Sequence, residues 1–383
     1  MEKVFARIPK EEIYNITGNQ FMRFNTLFQL YTLVLKNADL LQRVYKFLLM
    51  PDLFNYFLTG EKKAEYTEVS TTQMLDARTG QWCFDLAERL QIPREIFPEI
   101  IDSGEVYGNL SESICTELGV RKVPVISVAS HDTASAIAAT PSLDDDFVYI
   151  SCGTWSLFGT ELKNPVINKK SEMYNITNEG GFGRTTTLLK NIMGLWLVQE
   201  SRRQWAREGI DLTHGEIDEE ASFANGLSCF IDPDSPEFEI HGNMPERVKK
   251  FCERTGQHVP ASRGEITRCI YESLAFKYRQ VFEMIREVTG KSYNAIHIIG
   301  GGSQAKVLCQ LTANVCQVDV LAGPIEATVT GNVIAQLIAL GKISDVRRAR
   351  EIILHSFEPI SYKPVESSAW DSAYERFLSI LGK

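Results

Sequence analysis

A run of glycines at residues 300–302, followed by Ser303, separates a short apolar segment from an apolar helical pattern. The segment before it, residues 296–299, has the length of a strand. The helical pattern extends to about Val315 and precedes a second apolar segment at 318–321. A strand, a glycine turn, a helix and a second strand in this order are typical of α/β folds, in which helices cover a largely parallel sheet. The sequence therefore predicts an α/β architecture.

Strand and helix patterns alternate through the rest of the chain. Strands are predicted at residues 123–128, 147–150 and 155–162. Helices are predicted at residues 26–57, with a break at Pro51, and at 187–208, 265–288 and 328–340. A length of 383 residues indicates two or three domains. The change from a mainly helical to a strand-rich pattern near residue 146 places the predicted boundary between domains 1–143 and 144–383.

Charge and hydropathy restrict the partners. The net charge of −9 argues against nucleic acid, because phosphate binding requires clustered Lys and Arg. The sequence contains no run of about 18 apolar residues that would span a membrane, and its first residues lack the apolar core of a secretion signal. We therefore expect a cytoplasmic protein that binds small molecules, with neither nucleic acid nor a membrane as partner. Monomer and homodimer both remain open.

Eight cysteines are spread along the chain without CxxC spacing, so no structural zinc site is expected. In a reducing compartment, buried thiols are the ordinary state of such residues. Cys252 and Cys269 flank a loop and can lie close together.

The first constellation that could carry chemistry is Ser130-His131-Asp132-Thr133, which follows the short strand pattern and begins a helix. Polar groups at the carboxyl ends of strands are where α/β folds place ligand contacts. A carboxylate such as Asp132 can accept a proton from a substrate hydroxyl as a general base. The alternative is that Asp132 only caps the helix, a role that Asp fills well.

The second constellation is a turn of small residues at 151–156, which includes Gly153 and Thr154. Glycine lets backbone N–H groups approach a phosphate, and the Thr154 hydroxyl adds a donor. An ordinary hairpin turn is the alternative.

The third constellation is the glycine turn at 300–304, which fits neither the dinucleotide fingerprint nor the P-loop. A turn that opens a helix lets a nucleotide approach the backbone, and the helix N-terminus favours negative charge. A tight turn without a ligand is the alternative. A further glycine segment at 323–328 caps the next helix. The chain order of the three constellations is the order expected when two domains clamp a nucleotide.

Seven motifs between residues 129 and 332 carry a family resemblance: ASHDTASA, ISCGTWSL, ITNEGG, KNIMGLWL, FIDPDSP, IIGGGSQ and GPIEATVTGN. In order and spacing they resemble the FGGY family of carbohydrate kinases, and within it the rhamnulokinases. Upstream, QFMRFNTLFQL, LLMPDLFNYFLTG and EYTEVSTTQ resemble the same family. The resemblance runs from about residue 11 to the C-terminus.

The resemblance implies an α/β protein with two domains of the actin-like ATPase (ribonuclease H-like) type, with sugar and ATP meeting in the cleft. It implies that Asp132 is the catalytic base. The implied sugar contacts are His131, Asp132, Thr133 and Asn191, and the implied ATP contacts are Thr154, Gln199 and Gly301. Asn191 and Gln199 are expected on one helix, roughly 80° apart around its axis. The resemblance also allows a disulfide between Cys252 and Cys269.

The implied reaction transfers the γ-phosphoryl group of MgATP to the C1 hydroxyl of L-rhamnulose. The alternatives are a kinase for another ketose such as L-fuculose, or a non-catalytic sugar- or nucleotide-binding protein on the same fold. Family members begin with a phosphate-binding strand-turn-strand element carrying a D-x-G-type motif that helps to place Mg²⁺, and the first residues of this sequence do not contain such an element. We therefore expect a first domain truncated at its N-terminus, and a low turnover. The metal ligands are unassigned.

Overall fold

The computed structural model describes residues 1–366 and 368–382. The chain forms two compact units, and each is assembled from separate stretches of sequence. The first unit contains residues 1–139, 160–190 and 327–353, and the second contains residues 140–159, 191–326 and the part of the chain after Ile353. The sequence domains 1–143 and 144–383 stay a prediction, because the compact units do not follow a single cut in the chain.

The helices are α1 Glu2–Phe5, α2 Lys10–Thr17, α3 Thr26–Leu41, α4 Met50–Thr59, α5 Tyr66–Val69, α6 Phe84–Arg89, α7 Glu112–Leu118, α8 Asp132–Ala138, α9 Lys169–Met173, α10 Trp196–Arg207, α11 His214–Phe223, α12 Met244–Arg254, α13 Arg263–Thr289, α14 Lys306–Cys316, α15 Ala327–Ala339, α16 Val346–Ser356 and α17 Ser368–Ile380. The strands are β1 Lys63–Glu65, β2 Leu75–Asp76, β3 Gln81–Trp82, β4 Glu99–Ile101, β5 Val106–Asn109, β6 Pro124–Ile126, β7 Val148–Cys152, β8 Trp155–Leu162, β9 Thr177–Gly180, β10 Thr186–Met193, β11 Ala295–Ile299, β12 Asp319–Ala322 and β13 Ile360–Tyr362.

The second unit is built on a sheet whose strands follow the order β13, β12, β11, β7, β8 and β10. Strand β11 lies parallel to both neighbours, with Ile296 opposite Val148 on β7 and Val320 on β12. The glycine turn and α14 connect β11 to β12, so the predicted strand–turn–helix–strand unit is confirmed. The long helix α13 begins with a capping box between Ser262 and Glu265 and packs in the same hydrophobic core as these strands.

The first unit has a mainly helical hydrophobic core, to which its small sheets contribute Ala64, Leu75 and Trp82. Strands β1 and β4 pair in parallel, whereas β5 and β6 pair antiparallel, as do β2 and β3. Strand β9 pairs antiparallel with the beginning of β10, from Thr186 to Leu189. Among the described residues, no helix is long and apolar enough to cross a membrane.

Two predicted helices were wrong in their extent. The helix predicted at 187–208 begins only at Trp196, because residues 186–193 form the buried strand β10, which starts with two β-branched threonines. The helix predicted at 26–57 ends at Leu41, and Pro51 lies in the first turn of the separate helix α4, where a missing N–H costs nothing. Helices α16 and α17 were not predicted from the sequence.

Candidate active site

Asp132 is the first residue of α8 in the first unit. The N-cap position belongs to His131, and no side chain caps this helix end, so the cap role considered for Asp132 is not what the structure shows. The Asp132 side chain is 79% exposed and accepts a single hydrogen bond, from Thr133 Oγ1 at 3.3 Å. The remaining residues of α8 are buried, and the carboxylate of Asp132 is therefore held at the surface by a rigid element.

The tight packing of α8 comes from α15. A Cβ atom added to Gly331 of α15 would lie 1.8 Å from the carbonyl oxygen of Ser135, so only glycine allows this approach. At the start of α15, the hydroxyl of Thr328 donates to the carbonyl oxygen of Asp132 at 3.3 Å. Both contacts fix the position of α8 and hence of its first residue.

The His131 imidazole lies between two carboxylates of the first unit. Its Nδ1 is 3.5 Å from Oε2 of Glu179, and its Nε2 is 3.9 Å from Oδ1 of Asp132. Burial raises the pKa of Glu179, and the nearby His131 opposes that shift. Both His131 Nδ1 and Glu179 Oε2 are buried without a hydrogen-bond partner. The two atoms face each other at 3.5 Å, so Glu179 fixes the orientation of the imidazole beside the start of α8.

Glu65 holds the backbone next to the Asp132 site. Its Oε2 accepts hydrogen bonds from Thr67 Oγ1 at 2.5 Å, from Ser130 N at 3.0 Å and from Glu68 N at 3.2 Å. Its Oε1 accepts from Ser103 Oγ at 2.5 Å. Burial raises the pKa of Glu65, and the hydrogen bonds oppose that shift in part.

The backbone N–H of His131 donates to Thr67 Oγ1 at 3.1 Å, so the Glu65 network fixes two consecutive backbone groups before Asp132. We call Glu65, Thr67, Ser103 and Ser130 the Glu65 network. Glu65 and Thr67 belong to the motif EYTEVSTTQ, for which no role was predicted from the sequence. A contact between residues 65 positions apart leaves no local signal.

In the second unit, Thr154 lies in the turn between β7 and β8. The carbonyl oxygen of Thr154 accepts hydrogen bonds from the backbone N–H groups of Gly194 and Trp196, both at 3.1 Å. The turn therefore anchors the start of α10 in addition to connecting β7 and β8. The Thr154 hydroxyl also donates to Oε1 of Gln199 on α10 at 3.3 Å, which brings two of the predicted ATP contacts together.

Asn191 and Gln199 do not lie on one helix, and that prediction was wrong. Asn191 is on β10 and is partly buried, whereas Gln199 is on α10. Gly194 lies between the two elements, where the sequence pattern had suggested a continuous helix. A Cβ atom there would lie 2.5 Å from the backbone of Trp155, so this close approach requires glycine.

The three glycines of the turn after β11 differ in whether the fold requires glycine at their position. Gly300 has a φ of 85°, and a Cβ on Gly302 would lie 2.2 Å from Cys152 Sγ, so both are required by the fold. Gly301 has neither constraint, and nothing lies within 4 Å of the place where its Cβ would stand. Since β7 and β11 are parallel, Thr154 and Gly301 follow the carboxyl ends of neighbouring strands. The open space beside Gly301 is therefore where a ligand of the second unit can approach the backbone.

A cavity of about 320 Å³ opens beside α10 in the second unit. It is lined by Gln199, Arg202, Arg203, Ala206, Asp211 and His214. The two guanidinium groups already pair with carboxylates, Arg202 with Asp211 at 3.7 Å and Arg203 with Glu200 at 3.4 Å, so the cavity carries no net demand for an anion.

Models of known protein families match two stretches of the chain. The model described as "FGGY family of carbohydrate kinases, C-terminal domain" matches residues 148–340, and the corresponding N-terminal domain model matches residues 1–138.

Curated relatives cover nearly the whole chain. A rhamnulokinase from Bacteroides thetaiotaomicron is 42% identical over 376 residues, which are 98% of this chain and 77% of that protein. A rhamnulokinase from Oceanobacillus iheyensis is 41% identical over 95% of this chain and 76% of its own length.

Solved structures show the same fold. A ligand-bound xylulose kinase from Lactobacillus acidophilus has a TM-score of 0.79 at 18% identity, with 100% of this chain and 76% of that chain covered. A glycerol kinase from Plasmodium falciparum with ADP has a TM-score of 0.76 at 14% identity, also with 100% of this chain and 76% of that chain covered. At these identities the likeness supports the fold alone.

Proposed function

This chain belongs to the FGGY family of carbohydrate kinases, and from that premise we propose that it phosphorylates L-rhamnulose at the C1 hydroxyl, with ATP as phosphoryl donor. The family and the α/β kinase fold predicted from the sequence are confirmed. The choice of sugar is supported by relatives named rhamnulokinase that are about 40% identical over nearly the whole chain. Neither L-fuculose nor a purely binding role has comparable support.

The observation that carries the proposal is the exposed carboxylate of Asp132 on a buried, rigid helix. With one weak local hydrogen bond, this group is available to accept a proton from a substrate hydroxyl. We assign His131 and Thr133 of the first unit to sugar contacts, with Glu179 orienting the His131 ring. The sugar contact expected of Asn191, which belongs to the second unit, stays a prediction.

The proposed step is a direct transfer. The C1 oxygen of the ketose attacks the γ-phosphorus as its proton passes to the Asp132 carboxylate, and the bond from that phosphorus to the bridging oxygen of ADP breaks. The products are ADP, L-rhamnulose 1-phosphate and a proton, which Asp132 releases to solvent. Most of the acceleration in such reactions comes from positioning and electrostatic stabilisation.

We propose that the second unit binds ATP at the carboxyl ends of β7 and β11. The open space at Gly301 fits the approach of a nucleotide to the backbone, and Thr154 supplies a hydroxyl donor for a phosphate oxygen. Gln199 contacts Thr154 and extends this donor set. Mg²⁺ enters with ATP as part of the substrate, where it neutralises phosphate charge, and we assign no protein ligand to it.

The test is an assay of ADP release with MgATP and L-rhamnulose, which compares the wild type with Asp132→Asn. The exposed Asp144 offers a matched control, since Asp144→Asn makes the same chemical change away from α8. We expect turnover to fall by at least about 10²-fold in Asp132→Asn and to stay unchanged in Asp144→Asn.

Wild-type turnover in Asp132→Asn would refute the base assignment. A higher kcat/KM for L-fuculose than for L-rhamnulose would refute the choice of sugar. Calorimetric binding of both substrates by a wild type without turnover would favour the non-catalytic alternative.

A further inference from the structure

Three cysteines of the second unit, Cys229, Cys252 and Cys269, lie together inside its hydrophobic core. Their exposed fractions are 3%, 0% and 1%, and their sulfur atoms all lie within 4.8 Å of one another. All three are free thiols in this structure, so the disulfide considered for Cys252 and Cys269 is not formed here. We call these residues the three-thiol cluster.

The cluster is assembled from three separate elements. Cys229 lies in the loop between α11 and α12, Cys252 on α12 and Cys269 on α13. The loop is held in place by two hydrogen bonds between the backbone of Phe230 and the side chain of Gln257, both 2.8 Å long. The arrangement is therefore fixed by the fold.

A hydrogen-bonded link also joins the loop to the third cysteine. The backbone N–H of Ile231 donates to Ser273 Oγ at 2.9 Å, and that hydroxyl donates to the carbonyl oxygen of Cys269 at 2.6 Å. Since these bonds hold the backbone on both sides of the cluster, little chain entropy remains to be lost when a ligand joins the three sulfurs.

The spacing of the sulfurs is close to that of a metal site. Zinc–thiolate bonds of about 2.3 Å place sulfur ligands about 3.8 Å apart in tetrahedral geometry. The three sulfurs lie within 4.8 Å of one another, so movements of about 1 Å or less would bring them to the distances of a metal site. A disulfide uses two sulfurs and leaves the third unused, whereas a metal ion uses all three. Thiolates select soft and borderline cations over Mg²⁺ and Ca²⁺.

Charge distinguishes between monovalent and divalent ions. Three thiolates around a divalent ion leave a net charge of −1, whereas around a monovalent ion they leave −2. Buried uncompensated charge is costly, so the core position favours the divalent ion. We propose that the three-thiol cluster binds one thiophilic divalent cation of the Zn²⁺ class, which joins the loop, α12 and α13.

The loop that carries Cys229 is also connected to β10 and α13 of the second unit. Asp234 of the same loop accepts a hydrogen bond from the backbone N–H of Met193 at 2.9 Å, at the end of the strand that carries Asn191. Asp234 also pairs with the buried Lys277 at 2.8 Å. We therefore expect the bound cation to stabilise the second unit and to leave phosphoryl transfer to other residues.

The probe is Cd²⁺ added to the reduced, metal-free full chain under anaerobic conditions. We expect one equivalent to bind with an ultraviolet sulfur-to-cadmium charge-transfer band, and the number of titratable thiols to fall by three. The melting temperature should rise, because a ligand that binds only the folded state stabilises it. X-ray absorption of the Zn²⁺ form should show three sulfur neighbours at about 2.3 Å.

The variants Cys229→Ser, Cys252→Ser and Cys269→Ser should each weaken binding by more than about tenfold. Cys115→Ser, which removes a buried thiol of the first unit, is the control and should bind as the wild type does. An unchanged band in Cys229→Ser would overturn the proposal, as would the absence of a band in the wild type. Fewer than three sulfur neighbours by X-ray absorption would overturn it without any variant, even if a substitution prevents folding.

Discussion

The Glu65 network offers the sharpest test of how the fold positions Asp132. In Glu65→Ala, the Ser130 N–H loses its acceptor, and such a loss in a buried place costs about 1–3 kcal/mol. The same change removes the side chain that caps α5, which costs about 1 kcal/mol. The hydroxyls of Thr67 and Ser103 can rotate to other acceptors. Together these effects predict a loss of about 2–4 kcal/mol in the free energy of unfolding.

Glu65→Gln should destabilise the protein much less than Glu65→Ala. The amide oxygen can still accept a hydrogen bond from Ser130 N, and the NH₂ group can donate to the Ser103 hydroxyl, which can rotate to accept it. We expect a stability loss below about 1 kcal/mol and a kcat within a few-fold of wild type. In Glu65→Ala, the unanchored backbone at 130–131 should lower kcat by about 10²-fold, the usual effect of a shift of about 1 Å in a reacting group.

Urea unfolding and steady-state kinetics at saturating substrate measure the two effects separately. Leu86→Ala is the matched control, since it removes a fully buried side chain of the same unit away from α8 and should cost about 2–5 kcal/mol. Its kcat should stay at the wild-type value under conditions where the protein is folded. The reasoning is refuted if Glu65→Ala loses the expected stability but keeps its kcat, or if Leu86→Ala lowers kcat equally.

Two further predictions concern the glycine turn and a buried carboxyl. Gly301→Val should leave the melting temperature unchanged and raise the KM for ATP by about tenfold or more, because the valine side chain fills open space. Gly302→Ala should instead destabilise the protein, because the added methyl group would contact Cys152. Equal KM values for wild type and Gly301→Val would contradict the proposed ATP site. Burial raises the pKa of Asp52 from 3.8 to about 8. Between these two pH values the folded state binds more protons than the unfolded state, so the free energy of unfolding should fall as the pH rises from about 4 to about 8. Urea midpoints of Asp52→Asn should lose that part of the pH dependence, and identical pH profiles for variant and wild type would count against it.

Parts of the candidate site followed from local sequence patterns. The strand–glycine turn–helix–strand unit around Gly301 was predictable because hydrophobic period and glycine placement are local signals. The segment that begins with Asp132 was predictable for the same reason, since a strand followed by polar residues and an apolar helix occupies few residues. The helix predicted across Asn191 failed because the apolar residues stand in pairs at 188–189, 192–193 and 196–197, and this spacing of three to four residues is also that of an amphipathic helix.

Local sequence patterns were enough to establish the alternation of strands and helices, the family, and the short segments that carry Asp132, Thr154 and Gly301. Which distant residues support those segments depends on the packing of the folded chain. Glu65 reaches the backbone before Asp132, and three cysteines far apart in sequence converge in one core. Such contacts depend on how the buried faces pack, and packing leaves no periodic trace in a single chain.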